Sequence, residues 1–478
     1  MTVISTKVSG SPADYFTGSG QVLVVTYSGV LESTNNLAAI GSINDDCSIY
    51  NYGLVVGSSG HGLECFGARV DVVNGAEAFI SSVSVYGSGF NLNNSGMIAG
   101  IKLDADEGVS ADNAIIVNNV GASIVGRSNG IATFGGVTGL RVINSGTISG
   151  DYAIGQAASL VNNATGVIQG SFGVQFVQRL QNHGLIEATA GIAVALDVDA
   201  TVRNTGSISA STVAIQAYGA DAAHMIYNSG TIDAGTTAIS LILASDDVTT
   251  INNSGEIFGR GAAIVVQNTR SVVLNNLGTI EGGVFLSGAV DVVRNAGEII
   301  GDLLLGSGHD SFFGARGSVS GLLDGGSGND RLYAGDGDTA NGGAGNDFLS
   351  GSATESNLIG GTGADILRGG VGMDTFIYRL ASESTATIQD VIRDFGYDDT
   401  IDLSAIDANT TVGGNQEFVF IDTNAFTGAA RPDNLGEVRV VYTGNGAVLQ
   451  ADVNADGIVD FQVRLGGVNY LYPEALIL

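Results

Sequence analysis

Between Asn51 and Gly301 the chain repeats itself, and this periodicity limits the possible folds more than any other feature. The motif Asn-x-Gly-x-(Ile/Val)-x-(Gly/Ala) starts at Asn51, Asn94, Asn119, Asn144, Asn182, Asn204, Asn228, Asn253, Asn276 and Asn295, with variants at Asn74-Gly75 and Asn163 to Gly166. From Gly96 onward its glycines step by 25, 25, 20, 18, 22, 24, 25, 23 and 19 residues. Such a period is one coil of a solenoid, in which a unit too small to bury its own apolar face buries it against the next. Three short β-branched stretches fit in each coil; after Gly206 they are Ser207-Ile208-Ser209, Val213-Ala214-Ile215 and Met225-Ile226-Tyr227. The expectation is an all-β chain with a parallel β-helix of about twelve coils over residues 51–301.

Asn and Gly suit the turn because both tolerate positive φ, and stacked Asn amides can hydrogen-bond to one another along the ladder. These asparagines are therefore read as structural. An open end of such a stack invites edge pairing, so residues 1–50 are expected to form an N-terminal cap. Cys47 and Cys65 fall at different phases of the repeat, which leaves a disulfide open but not favoured.

A second repeat follows. Gly325 to Tyr333 fits G-G-x-G-x-D-x-U-x at every defined position, as do Gly342 to Ser350, Gly360 to Arg368 and Gly369 to Ile377; Leu305 to Phe313 departs only at its first residue. A flexible Gly-rich linker has no reason to keep Asp at position six and an apolar residue at position eight. Residues 302–478 also hold 25 acids against 8 arginines, a net charge of −17. Glycine turns that aim carbonyl oxygens inward, joined by carboxylates, supply the hard oxygen donors that Ca²⁺ prefers. These nonapeptides resemble the repeats-in-toxin (RTX) family of calcium-binding secreted proteins, which implies a parallel β-roll over residues 302–378 and several bound Ca²⁺ ions. The positions the resemblance assigns to metal are Gly306, Gly308, Asp310, Gly326, Gly328, Asp330, Gly343, Gly345, Asp347, Gly361, Gly363, Asp365, Gly370, Gly372 and Asp374. Asp310, Asp330, Asp347 and Asp365, separated by 20, 17 and 18 residues, should share one edge. The opposite edge is degenerate: Gly335-Asp336-Gly337-Asp338 is one residue short, and Glu355 stands one place early before Asp374 restores the motif.

Residues 379–478 form a third segment. The run from Asp390 to Asp407, with Asp394-Phe395, Asp399 and Ile401-Asp402-Leu403-Ser404, resembles the C-terminal domain of serralysin-type secreted proteases, and the likeness continues through Phe426-Thr427-Gly428 and Asp452 to Phe461. It adds Asp390, Asp394, Asp399 and Asp402 to the metal candidates. The loop from Asp452 to Asp460 reads like the start of an EF-hand, but Val463 stands where the bidentate Glu belongs. The end, Pro473-Glu474-Ala475-Leu476-Ile477-Leu478, is similar to the uncleaved signal of type I secretion. That would account for an N-terminal stretch lacking a cationic and apolar leader, and it implies export from a Gram-negative cell.

The protease activity does not come with this domain. His61, His183, His224 and His309 are the only histidines and none begins H-E-x-x-H, which excludes a zinc metalloprotease. The remaining enzymatic option is a lyase or C-5 epimerase acting on an anionic polysaccharide along the β-helix. Its candidate residues are Asp197, Asp221 and Asp246, each seven residues before a repeat Asn, with His224 nearby. Arginines in the helix look scattered, which is poor equipment for gripping an anionic sugar. The favoured expectation is a non-enzymatic secreted structural protein of the cell surface: a surface-layer, matrix or adhesin component. Its partners would be calcium, the secretion machinery, and further copies of itself or a surface glycan. A net charge of −30 rules against nucleic acid, and no apolar run is long enough to span a membrane.

Overall fold

The structure is a computed structural model that describes the chain except residues 5–6, 11–19, 34–37, 44, 58–61, 105–110, 135–136, 220–222, 244–246, 268–269 and 429–434. Among the described residues there is no α-helix, only short 3₁₀ turns at Ala381–Glu383 and Pro473–Ala475, and no helix is long and apolar enough to cross a membrane. The fold is all-β. Two compact units are present, Met1–Leu243 with Gly255–Gly261, and Ala244–Ser254 with Ala262–Leu478.

The first unit is a parallel β-helix with three strands per coil. Its register comes from the motif itself: Ile98, Ile124, Ile148, Ile168, Ile186, Ile208, Ile232 and Ile257 pair in succession, each all but fully buried. These are the isoleucines two residues after the repeat glycine, or their equivalents. Like side chains stack at the ~4.8 Å strand spacing, so β-branched residues pack without gaps. The coil extends into the N-terminal segment, where Val22–Val25 pairs in parallel with Thr2–Ile4 on one side and Ser48–Asn51 on the other.

From Asn51 onward, the coils of this unit are closed at one corner by a buried asparagine, where the two preceding coils have Ile4 and Val25. The Nδ2 of Asn51 donates to Oδ1 of Asn74 at 2.8 Å, and the chain of amide bonds continues through Asn94, Asn118, Asn144, Asn162, Asn182 and Asn204 to Asn228. The second Nδ2 proton goes to a backbone carbonyl of the next coil, as from Asn204 to Thr231 at 3.0 Å. In two coils the ladder residue is the first of an Asn pair, Asn118 and Asn162, not the motif-matched Asn119 and Asn163. Those coils hold two extra residues in the turn, and the ladder follows the strand rather than the glycine. Cys47 and Cys65 are buried thiols not joined by a disulfide.

The second unit carries the same ladder through Asn253, Asn276 and Asn295 and then narrows to two sheets. One sheet contains Val292–Asn295, Ser311–Phe313, Arg331–Tyr333, Phe348–Ser350, Ile366–Arg368, Asp390–Ile392 and Phe461–Gly466. The other contains Leu303–Leu304, Leu322–Asp324, Thr339–Ala344, Asn357–Thr362, Thr375–Ile377, Thr400–Asp402 and Leu476–Ile477. Between them lies a thin core of Phe312, Leu332, Leu349 and Leu367 against Leu323, Ala340, Leu358 and Phe376. Phe312, Leu332, Leu349, Leu367 and Phe376 are the position-eight residues of the nonapeptides, and alternation along each strand puts one apolar side chain inward. Among the described residues, pairing turns antiparallel near the C-terminus, among Gly436–Thr443, Gly446–Asp452 and Phe461–Gly466.

Candidate metal centre

Each nonapeptide turn is built by two glycines in the left-handed half of φ space. Gly326 and Gly328 have φ of +92° and +142°, and the pairs Gly306/Gly308, Gly343/Gly345, Gly361/Gly363 and Gly370/Gly372 repeat these values within about 15°. The fourth position is also closed sterically: a Cβ on Gly328 would overlap the carbonyl oxygen of Gly308, and one on Gly345 that of Gly328. Only glycine lets successive turns approach so closely.

The aspartate at position six follows this turn and performs two tasks with its two oxygens. Oδ1 of Asp310 accepts from the amide of Asp291 at 2.7 Å. The same bond runs from Asp310 to Asp330 at 2.7 Å, Asp330 to Asp347 at 2.8 Å, Asp347 to Asp365 at 2.8 Å and Asp365 to Asp390 at 2.8 Å. The four residues expected to share an edge therefore do so, extended by Asp390 at one end and by Asp291, which accepts from Val272, at the other. Oδ2 of every one of these six aspartates is buried; on Asp310, Asp330, Asp347 and Asp365 it meets no hydrogen-bond donor, whereas the Ser287 amide lies beside Asp291 and the Tyr378 hydroxyl beside Asp390.

A buried carboxylate with a bare oxygen is costly, and its acidity reports that cost. Burial, then neighbouring aspartates, push Asp310 and Asp347 up to about 7, and Asp390 to about 8; burial lifts Asp365 to about 6 and Asp291 to about 7. The bare oxygens face a small cradle at the first glycine of their own repeat. A methyl group on Gly325 would lie 2.6 Å from Oδ2 of Asp330 and 2.7 Å from the carbonyl oxygen of Gly342 in the next coil. The same pair of oxygens, Asp347 Oδ2 and Gly360 O, flanks Gly342 at 2.5 and 2.6 Å. Anionic and carbonyl oxygens converging with no proton between them make a donor set for a hard cation.

The opposite edge differs atom by atom. Asp338 accepts from Val319 through Oδ1, but its Oδ2 is taken by Gly335 N at 2.7 Å. Ser356, not Glu355, occupies the next aspartate position, and Glu355 is exposed. Asp374 follows with a bare Oδ2, raised to about 6 by burial first, and Asp399 closes the column with its Oδ2 held by Gly396 N at 2.6 Å. One bare oxygen on this edge contrasts with four on the other.

The remaining candidates fall elsewhere. Asp394, exposed, accepts from the amides of Gly369 and Gly370, and Asp402, half-buried, from Ser404. Asp221 and Asp246 lie outside the described residues. Asp197 accepts a long 3.5 Å bond from Gln156, and His224 is buried with Nδ1 accepting from the amide of Ala200. No three acidic, imidazole or thiol side chains converge among the described residues. Asp291 and Asp338 were absent from the sequence candidates. Asp291 lacks the glycines of a regular nonapeptide, with Ser287 and Ala289 in their places.

Residues 264–477 match the family described as Peptidase M10 serralysin C terminal. No curated protein matches the chain. Among solved structures, the chain is similar to the solution structure of the AlgE6R3 subunit from the Azotobacter vinelandii mannuronan C5-epimerase, at 23% identity over 40% of this chain and 78% of that one, with a TM-score of 0.20.

Proposed function

We propose that this is a secreted structural protein of the cell surface, a surface-layer, matrix or adhesive component, whose C-terminal roll is folded and held by calcium outside the cell. The observation that carries the reading is the column of buried Oδ2 atoms on Asp310, Asp330, Asp347 and Asp365 with no donor to meet them. Those aspartates, with glycine carbonyls of the turns, would hold the ions. Bound calcium supplies the positive charge that the column lacks and joins one coil to the next. The protein's own contribution is positional: the glycine turns bring the carbonyls close, the Oδ1 ladder fixes each carboxylate, and the leucine core keeps water from its inner side. The serralysin-type match over residues 264–477 supports export, since such domains belong to secreted proteins.

In a calcium-poor cytosol, the −17 charge of residues 302–478 opposes compaction, and calcium at about 10⁻⁴ to 10⁻³ M, typical of extracellular modules, would overcome it. The test is a calcium titration of the full chain followed by circular dichroism, with bound metal counted by calorimetry. β signal gained over that range, with more than one ion per chain, is expected; a spectrum indifferent to calcium and chelator would refute the proposal.

A further inference from the structure

Arginines that look scattered along the sequence are brought onto one face of the roll. In the sheet from Val292–Asn295 to Phe461–Gly466, the register aligns Arg294 with Phe313 and Tyr333, Arg331 with Phe348, and Val391 with Arg464. Arg368 and Arg393 sit at equivalent outward positions further along, and Arg316 lies in the adjoining turn. All six are exposed, and none forms an ion pair with a described residue. No outward position of these seven strands carries a carboxylate, although the surrounding segment has a net charge of −17. The outward positions of the other sheet hold Asp324 and Asp402 and no cation.

The cations are also seated. The Arg294 guanidinium lies 5.8 Å from the centre of the Phe313 ring, which stacks on Tyr333 at 5.4 Å and 11°, and Arg368 lies 5.8 Å over Phe348. Rings under a guanidinium restrict its fork and reduce the entropy lost on binding a carboxylate. Beside this column runs a groove of about 460 Å³, floored by Leu277, Phe313, Ala315 and Tyr333 and rimmed by Arg294 and Arg316.

From this arrangement we infer that the face binds a linear acidic polysaccharide. Six cations spread over six coil steps of ~4.8 Å, so one positive charge falls about every 5 to 6 Å along ~29 Å. A chain of six-membered sugar rings with one carboxylate per ring spaces its charges similarly, and the C–H faces of the rings suit the apolar floor. A nucleic acid fits worse. Its phosphates stand about every 1.7 Å of duplex or 3.4 Å of single strand, so most would remain unneutralised next to a strongly acidic domain. Bidentate Arg–carboxylate pairing supplies the polar half of the recognition.

The inference rests on the calcium-folded roll, and the experiment separates the two. Full-length protein in millimolar calcium is titrated with a ten-ring oligogalacturonate, too short to gel, and with neutral dextran and duplex DNA, at low and high salt. The oligouronate should bind, weaken as salt rises, and bind about 30-fold more weakly to a triple variant Arg294→Gln, Arg331→Gln, Arg368→Gln. Dextran should not bind. Circular dichroism of that variant should keep the wild-type calcium midpoint. A wild-type chain that ignores calcium would sink the roll itself. A calcium-responsive chain that leaves the oligouronate unbound, a triple variant that binds it equally well, or DNA bound as tightly, would overturn the polysaccharide stripe alone.

Discussion

Replacing Asp347 by Asn tests the division of labour between the two carboxylate oxygens. The amide keeps an oxygen where Oδ1 accepts from Asp330 N at 2.8 Å, and puts an uncharged NH₂ where Oδ2 faces the carbonyl of Gly360. Without calcium, the variant should be as stable as the wild type or more so, because a buried charge near Asp365 and Asp330 is removed while the ladder survives. With calcium, the loss should be large. A unit charge pair at 4 Å is worth about 4 kcal/mol at an effective dielectric of 20, a divalent ion raises that, and desolvation offsets part of it, leaving about 2–4 kcal/mol. The calcium midpoint of folding should thus rise about 30- to 1000-fold, at about 1.4 kcal/mol per tenfold.

Asp347→Ala separates the two effects. It also removes the Oδ1 acceptor and strands the Asp330 amide, which costs about 1–3 kcal/mol whether or not calcium is present. Glu355→Gln is the control, since Glu355 is exposed and outside the aspartate column. Urea unfolding and calcium titrations of the three variants read out both states. If Asp347→Asn and Glu355→Gln shift the midpoint equally, or if Asp347→Asn destabilises the calcium-free chain as much as Asp347→Ala, the assignment of Oδ2 to the cation is wrong.

Acidity should act on the roll with opposite signs in the two states. Asp310, Asp347 and Asp390 are raised to about 7, 7 and 8. Without calcium the folded roll therefore holds protons more tightly than the unfolded chain; that contribution is complete below the ordinary carboxylate range and is lost as pH rises through 6 to 8. With calcium, protons compete for the same oxygens, so the midpoint should worsen as pH falls through that window; melting curves in chelator and in calcium from pH 5 to 8.5 should diverge accordingly. Asn204→Ala removes the acceptor of Asn182 and the donor to Asn228 and Thr231, all interior, and should cost about 2–4 kcal/mol in denaturant unfolding at any calcium level. Gly328→Ala should block folding of the roll even in saturating calcium, because its Cβ would overlap Gly308 O at a φ of +142°; a wild-type calcium response would refute the turn geometry.

The solenoid was legible because its period is written in residue type. A buried corner that must satisfy an amide on both sides selects Asn, and the strand after it selects Ile. The motif misplaces the ladder where two such residues adjoin: Asn118-Asn119 and Asn162-Asn163 offer the same letter twice, and only the strand register picks the first. On the roll, the glycines and aspartates of Gly325 to Tyr333 spell out the turn. Asp291 does not, because its turn has Ser287 and Ala289 where the motif requires glycine, and the ladder needs only the carboxylate. The arginine face left no local trace. Its successive members are 15 to 71 residues apart in sequence and align only once parallel coils set the register.

Asn and Asp, nearly identical in shape, divide the chain into two kinds of stability. An amide carries both donor and acceptor, so a stacked column of asparagines satisfies itself, each Nδ2 meeting the next Oδ1 at 2.7–2.9 Å. A carboxylate has two acceptors and no donor; it borrows a backbone N–H for Oδ1 and leaves Oδ2 dependent on something positive. The coils from Asn51 to Asn228 should therefore hold without calcium while the turns from Asp310 to Asp390 should not. Hydrogen exchange of the intact protein measures this directly. In chelator, the amides of Asp310, Asp330, Asp347 and Asp365, which donate along the aspartate column, should lose protection by orders of magnitude, whereas those of Ser145, His183, Thr205 and Ser229, which donate to ladder-residue carbonyls, should change little. Equal loss in both sets, or none in either, would show that the two columns are not energetically distinct.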